Sequence, residues 1–142
     1  MIFALIVAAQ AVTPVNCSEI RDSVASLKCE IVQLPKVDCD EPITQMEINV
    51  WSYREYLEVD IALNEHWARV RSRWRERSDR SDFWQKAFGA QREWLEYRNA
   101  ECEVWKKLYG GGTISPLMQN SCLTKVTQQR VEKLAALLDT PQ

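Results

Sequence analysis

Residues 81–112 read SDFWQKAFGAQREWLEYRNAECEVWKKLYGGG, and this stretch decides the fold. No proline interrupts it, and its three glycines at the end supply the left-handed conformation with which helices often close. Residues spaced four and three apart form one row, as on one face of an α-helix. The row consists of Trp84, Phe88, Gln91, Leu95, Arg98, Cys102, Trp105 and Tyr109. We therefore predict a long helix over residues 81–109.

A matching row lies on the preceding segment, for which we predict a helix over residues 43–77. Thr44-Gln45-Met46-Glu47 has the pattern of a capping box, and the polar residues 78–82 break the helix. The row consists of Asn49, Tyr53, Tyr56, Asp60, Leu63, Trp67, Val70 and Trp74. Folding the two helices back antiparallel about Asp79 sets the rows in one register, as in a coiled-coil-like hairpin. The predicted opposite pairs are Trp74 with Trp84, Val70 with Phe88, Trp67 with Gln91, Leu63 with Leu95, and Asp60 with Arg98.

The last of these pairs places two opposite charges in the seam between the helices. Asp60 and Arg98 are therefore predicted to form a buried or half-buried ion pair. A functional site is the alternative interpretation. We favour a structural role, because charges in helix seams commonly fix the register of packing.

A third long helix completes the predicted bundle. Ser115-Pro116 has the pattern of a helix start, and the helix is expected to run to about Leu138. Cys102 and Cys122 are equidistant from Gly112, so they face each other across an antiparallel helix pair and are expected to form a disulfide. The predicted fold is all-α: an antiparallel bundle of three long helices, disulfide-stapled, with a short N-terminal extension.

The N-terminal segment has the pattern of a targeting sequence. Residues 1–11, MIFALIVAAQA, contain a short apolar run that ends in a small-x-small cleavage pattern, although no Lys or Arg precedes it. We interpret 1–11 as a signal peptide; a buried N-terminal helix or strand is the alternative. Residues 12–36 form an extension with Cys17, Cys29 and a plausible short helix near 18–32, and 37–142 form the helical domain. Five cysteines in a small exported chain suggest a disulfide framework with one left over.

No pattern in the chain indicates catalysis, a metal or a cofactor. The only histidine is His66, CxxC pairs do not occur, and the net charge of -2 does not indicate nucleic acid or a membrane surface as a partner. Six arginines between residues 69 and 80 alternate with other residues and are thus scattered around a helix. We interpret them as a solvated surface, with binding of an anionic lipid, nucleic acid or wall polymer as the alternative. The chain is therefore predicted not to be an enzyme.

Several motifs resemble those of the LprI-type lysozyme-inhibitor domain family. Residues 91–102, QREWLEYRNAEC, resemble its central signature, and Gly111-Gly112-Thr113 resembles its glycine turn. Cys122, Leu123, Thr127, Arg130 and Leu134 resemble its ending, and the likeness spans about residues 37–138. The motif residues carried over are Gln91, Trp94, Tyr97, Arg98 and Arg130.

Two positions depart from the family pattern. Asn99 stands where the family usually has Asp, and Trp51 stands where it usually has a second early cysteine. Cys39 would pair with that cysteine in the family. Here Cys39 has to pair with Cys29 or Cys17, or stay free.

The resemblance implies an exported protein, periplasmic or secreted, that binds another protein and does not insert stably into a membrane. The implied partner is a lysozyme-like, wall-degrading glycosidase, inhibited by occlusion of its cleft. The candidate contact loop consists of Tyr109, Gly110, Gly111, Gly112, Thr113 and Ile114. The alternative interpretation is that this loop only turns the chain between two helices. The alternatives are a structural or stress module of the envelope, or an immunity-type protein that binds a different partner.

Overall fold

The computed structural model describes residues 15–38, 40–41 and 44–141. The predicted signal peptide at 1–11 and Cys39 lie outside these residues. Four helices make up the described fold: α1 (Ser23–Gln33), α2 (Gln45–Trp74), α3 (Ser81–Leu108) and α4 (Ser115–Asp139). The three long helices follow the prediction closely. The short helix expected near 18–32 is α1, so the fold has four helices where the stated bundle had three.

Local signals in the sequence set the ends of the helices. Thr44 and Glu47 form the predicted capping box at the start of α2. The Asp22 side chain accepts a hydrogen bond from the Ala25 amide and so caps α1. Gly110 and Gly111 have φ angles of 55° and 76°, which side-chain-bearing residues rarely adopt, and they turn the chain between α3 and α4.

The three long helices run up, down and up, and α4 is the helix that the other two share. Both α2 and α3 pack mainly against α4, and α2 and α3 contact each other much less. The apolar core of Leu63, Val70, Trp74 and Leu134 lies toward the end of the bundle that carries the α2–α3 turn. We call the opposite end, where residues 109–114 join α3 to α4, the hairpin tip.

The predicted seam between α2 and α3 is correct only in part. Asp60 does meet Arg98, but Trp84 stacks on Trp67, with ring centroids 5.5 Å apart, and Trp74 packs on Phe83 instead. The outer members of the predicted α3 row, which are Phe88, Trp105 and Tyr109, are exposed. The cause is α4, which takes up most of the apolar surface that α2 and α3 were expected to share.

The extension packs against α2 through α1, and several polar contacts join the two. A disulfide joins Cys17 to Cys29 within the extension, so neither sulfur is available to Cys39. Tyr53 of α2 donates a hydrogen bond of 2.9 Å to the Glu30 carboxylate of α1. Lys28 and Glu65 form an exposed ion pair at 3.8 Å. None of the residues of α1 itself is fully buried.

The hydrogen bond between Tyr53 and Glu30 should make the fold less stable at alkaline pH. Burial, and then the hydrogen bond to Glu30, raise the pKa of Tyr53 from its ordinary 10.0 to about 12. The neutral phenol is the form that the fold stabilises, so this contribution is complete below pH 10 and lost as the pH rises through about 12. We expect the melting temperature to fall over this window, and to fall less steeply in Tyr53→Phe.

Circular dichroism melts across this pH range provide the measurement. Burial also raises the pKa of Tyr56, so Tyr53→Phe should flatten the profile without abolishing it. Tyr97→Phe is the matched control, because Tyr97 is exposed on α3. A Tyr53→Phe profile that superimposes on the wild-type profile would show that the phenol contributes nothing to docking of the extension.

Candidate functional site

Arg98 is the centre of a buried polar network that links the three long helices. Its Nη1 donates to Asp60 on α2 at 2.6 Å and to the Thr127 hydroxyl on α4 at 3.4 Å. Its Nε donates to Asn99 Oδ1 at 3.2 Å. Asn99 therefore offers Arg98 an acceptor at the position where the family usually has Asp. A buried arginine needs such partners, because an unpaired charge is costly inside a protein.

Aromatic rings flank this network. The Arg98 guanidinium lies 5.6 Å from the Tyr56 ring centroid and 5.3 Å from that of Trp94. The Arg130 guanidinium also lies 5.6 Å from the Trp94 ring centroid. Arg130 Nε donates a hydrogen bond of 2.9 Å to Gln91 Oε1. Burial lowers the pKa of Arg130.

Four of the five carried-over motif residues, Gln91, Trp94, Arg98 and Arg130, thus lie in one network inside the bundle. The fifth, Tyr97, is exposed on α3. The sequence had predicted the partner of Arg98 on α2 but not the parts that Thr127 and Arg130 play, since these depend on where α4 packs.

The hairpin tip is held in place on both sides. A disulfide joins Cys102 to Cys122 across α3 and α4, and the Ser115 hydroxyl donates to the Lys106 carbonyl at 2.8 Å. Asn49 of α2 donates from Nδ2 to the Thr113 carbonyl at 2.8 Å. The tip is therefore tied to all three long helices.

A small polar cluster lies beneath the tip, and the sequence analysis missed it. Asn120 Nδ2 donates to the Ser52 hydroxyl at 3.0 Å, and that hydroxyl donates to the Asn49 carbonyl at 2.9 Å. Ser52 and Asn120 are both buried. For Ser52 the available signal was its place one helical turn from Asn49 and Tyr56 of the predicted row on α2. No buried row was predicted on α4, so no signal in the sequence pointed to Asn120. At this end the bundle is held by polar contacts and a disulfide.

Five large apolar side chains are exposed to solvent at or next to the hairpin tip. We call these residues the apolar tip surface: Val104, Trp105, Leu108, Tyr109 and Ile114. Leu108 is 68 % exposed and Trp105 is 41 % exposed. A groove of about 340 Å³ continues the surface along α3 and α4, between residues such as Tyr97, Trp105 and Met118. A second groove is lined by Val104 and Leu108. Large exposed apolar patches typically mark interaction sites.

Other residues that the sequence singled out do not form a common site in the described part of the chain. His66 bonds through Nδ1 to the Ala62 carbonyl of its own helix at 2.8 Å. Arg73 donates to the carbonyls of Leu138 and Thr140, and Arg77 pairs with Asp79 at 2.8 Å. The arginine run is thus divided between helix contacts and solvent.

No helix among the described residues combines the length and the apolar character that crossing a bilayer requires.

Comparisons with known proteins agree with this architecture. The model of the family described as "Lysozyme inhibitor LprI" matches residues 39–134. A protein of Rhizobium meliloti (strain 1021), described as uncharacterized, is 27% identical over 118 residues, which cover 78% of this chain and 85% of the relative. No solved structure matches the chain. The matched family residues contain both the buried network and the hairpin tip.

Proposed function

The chain belongs to the LprI lysozyme inhibitor family, and we propose that it is an exported envelope protein that binds and inhibits a lysozyme-like glycosidase. It acts by placing the hairpin tip in or over the active cleft of that enzyme. No chemical step by this chain is required, because occlusion of a cleft needs only a stable contact. The two disulfides favour an oxidising compartment, such as the periplasm or the cell exterior.

The observation that carries the proposal is the apolar tip surface. Five large apolar side chains surround a turn that is tied to three helices, although the same bundle buries such side chains at its other end. Exposed aromatic and aliphatic side chains on a rigid support provide the central contacts of many protein interfaces. Rigidity helps because little conformational entropy remains to be lost on binding.

Charge has a minor part in this contact. Lys106 and Lys107 at the tip share the single carboxylate of Glu103, at 3.9 Å and 3.6 Å, so these three side chains leave one net positive charge. We therefore expect affinity to come from shape and apolar burial. Salt should change the rate of association more than the final affinity.

The test is a turbidity assay of wall lysis with the purified mature protein and hen-type and goose-type lysozymes. Wild type should slow lysis by at least one of them. Leu108→Arg should weaken inhibition by about tenfold or more, the change that a loss of about 1.4 kcal/mol produces. Ile114→Arg should act in the same direction, since Ile114 belongs to the same surface.

Val32→Arg is the matched control, because Val32 is an exposed apolar residue of α1. This substitution introduces the same charge and bulk at a position that is far from the hairpin tip in the sequence. The variant should therefore inhibit like wild type. Circular dichroism has to show that every variant keeps its helices. If both tip variants inhibit as well as wild type, the tip is only a turn. If wild type inhibits neither lysozyme, the partner belongs to another class.

A further inference from the structure

A second concave surface lies on the opposite side of Arg98 from α4. It is a cleft of about 430 Å³ between α1 and the pair α2 and α3, with Asp60 and Arg98 among the residues that line it. This volume is within the range of small-molecule sites, which is about 300–1,000 Å³. The apolar tip surface shares no residue with the cleft.

Gln91 brings an unused hydrogen-bond donor to this cleft. The side chain is only 5 % exposed and lines the cleft. Arginine can only donate hydrogen bonds, so the atom of the Gln91 side-chain amide that faces Arg130 must be the acceptor, Oε1, and not the donor, Nε2. Gln91 Nε2 then has no acceptor among the described residues. The nitrogen is accessible from the cleft, so an oxygen atom of a ligand can accept the hydrogen bond that solvent otherwise accepts.

Acceptors lie in the same cleft. Asp60 uses Oδ1 for Arg98, and its other carboxylate oxygen has no donor in the described part of the chain. Asn64 donates from Nδ2 to the Asp60 main-chain carbonyl at 2.8 Å, which leaves Asn64 Oδ1 as an acceptor. A ligand that fits must therefore donate and accept hydrogen bonds over a short distance. Hydroxyl groups do both.

The charged side chains and the tryptophan that line the cleft restrict the class of ligand further. Arg98 is paired with Asp60, so a small anion at this pair would face the Asp60 carboxylate. Arg21 also lines the cleft and adds one positive charge to its wall. Trp67 also lines the cleft, and its ring is held by stacking on Trp84. A fixed indole offers an apolar surface for the C–H groups of a sugar ring. We propose that this cleft binds a saccharide, with Gln91 Nε2, Asp60 and Asn64 contacting its hydroxyl groups.

The test is an NMR titration of the full-length protein, in which the side-chain amide of Gln91 and the indole N–H of Trp67 are followed. The probes are cellobiose, N,N'-diacetylchitobiose and inorganic phosphate. We expect at least one disaccharide to shift both signals in a saturable way, and phosphate to shift neither. Shifts by phosphate that match those of the sugars would overturn the proposal, and so would the absence of any shift with both disaccharides.

Gln91→Glu is the decisive variant. Glutamate keeps an acceptor for Arg130 and nearly the same volume, but it loses the free N–H donor. It should weaken saccharide binding by about tenfold or more, since a ligand oxygen would then face a second acceptor. Gln128→Glu on the exposed face of α4 is the control and should bind like wild type. Equal binding by both variants would remove Gln91 from the site and overturn the assignment.

Lysozyme inhibition separates this inference from the proposed function. Gln91→Glu should inhibit like wild type, because Gln91 lies away from the apolar tip surface. Leu108→Arg should still bind the saccharide. Each proposal can therefore fail while the other holds.

Discussion

Arg98→Ala should lower the free energy of unfolding by about 3–5 kcal/mol, because it leaves Asp60 as an unpaired charge in a buried position. The Asp60 side chain is only 12% exposed and has Arg98 as its ion-pair partner. The substitution also removes a donor from Thr127 and a cation from the faces of Tyr56 and Trp94. Chemical denaturation followed by circular dichroism gives the free energy directly.

Arg71→Ala is the control for this experiment, since Arg71 is exposed on α2. Surface substitutions of this kind usually change stability by about 0.5 kcal/mol or less. The double variant Asp60→Leu/Arg98→Met should recover much of the loss, because both charges are removed together and apolar groups take their place. Equal effects of Arg98→Ala and Arg71→Ala would mean that the Arg98 network contributes nothing to stability.

Removal of the disulfide at the hairpin should have the second largest effect. The double variant Cys102→Ala/Cys122→Ala should lose about 3 kcal/mol of stability, the value that the chain-entropy model gives for a loop of about this size. The sequence separation of the two cysteines is 20 residues. The apolar core lies toward the other end of the bundle, so other contacts compensate poorly for the lost bond.

The matched comparison is Cys17→Ala/Cys29→Ala, which removes the disulfide of the extension. Its cysteines are 12 residues apart, and it joins two parts of the extension only. We expect this variant to shift the main unfolding transition less, when both doubles are measured under oxidising conditions. A larger shift for the extension variant would mean that α1 contributes more to the stability of the bundle than its partly exposed side chains indicate.

The helices were predictable because their ends depend on neighbouring residues. The glycines after Tyr109 and the capping box at Thr44 act within one turn of the chain, and Pro116 lies in the first turn of α4 as predicted. The expected cap by Ser115 was wrong, because Ile114 is the N-cap and the Ser115 hydroxyl bonds to the Lys106 carbonyl. The predicted helix over 81–109 and the observed Ser81–Leu108 differ by one residue.

The packing was harder to predict, because periodicity identifies an apolar face without identifying what covers it. The rows on α2 and α3 matched each other in number, yet each helix packs mainly against α4. Asp60 kept its predicted partner Arg98, whereas Trp74 and Trp84 took other partners than each other. Trp105 and Tyr109 continued the same row, and nothing local distinguished these exposed residues from core residues.

The candidate site shows the same limit. The loop Tyr109–Ile114 was recognisable from its glycines, whereas Val104 and Leu108 lie outside the row and joined the apolar tip surface only once the position of α4 was known. The free donor of Gln91 depends on Arg130, which is 39 residues away in the sequence. This pair joins α3 to α4, and for these two helices the sequence predicted only the contact between Cys102 and Cys122.

The closed disulfide loop of the extension has a consequence for how α1 stays on the bundle. Because both sulfurs belong to the extension, the bond preserves the shape of that segment without anchoring it to α2. The covalent chain that follows α1 nevertheless keeps it close to its docking surface. A short tether of this kind gives an effective concentration on the order of millimolar. The hydrogen bond from Tyr53 and the exposed ion pair of Lys28 would be weak between separate molecules, and they stabilise docking more effectively because the chain itself holds α1 near α2.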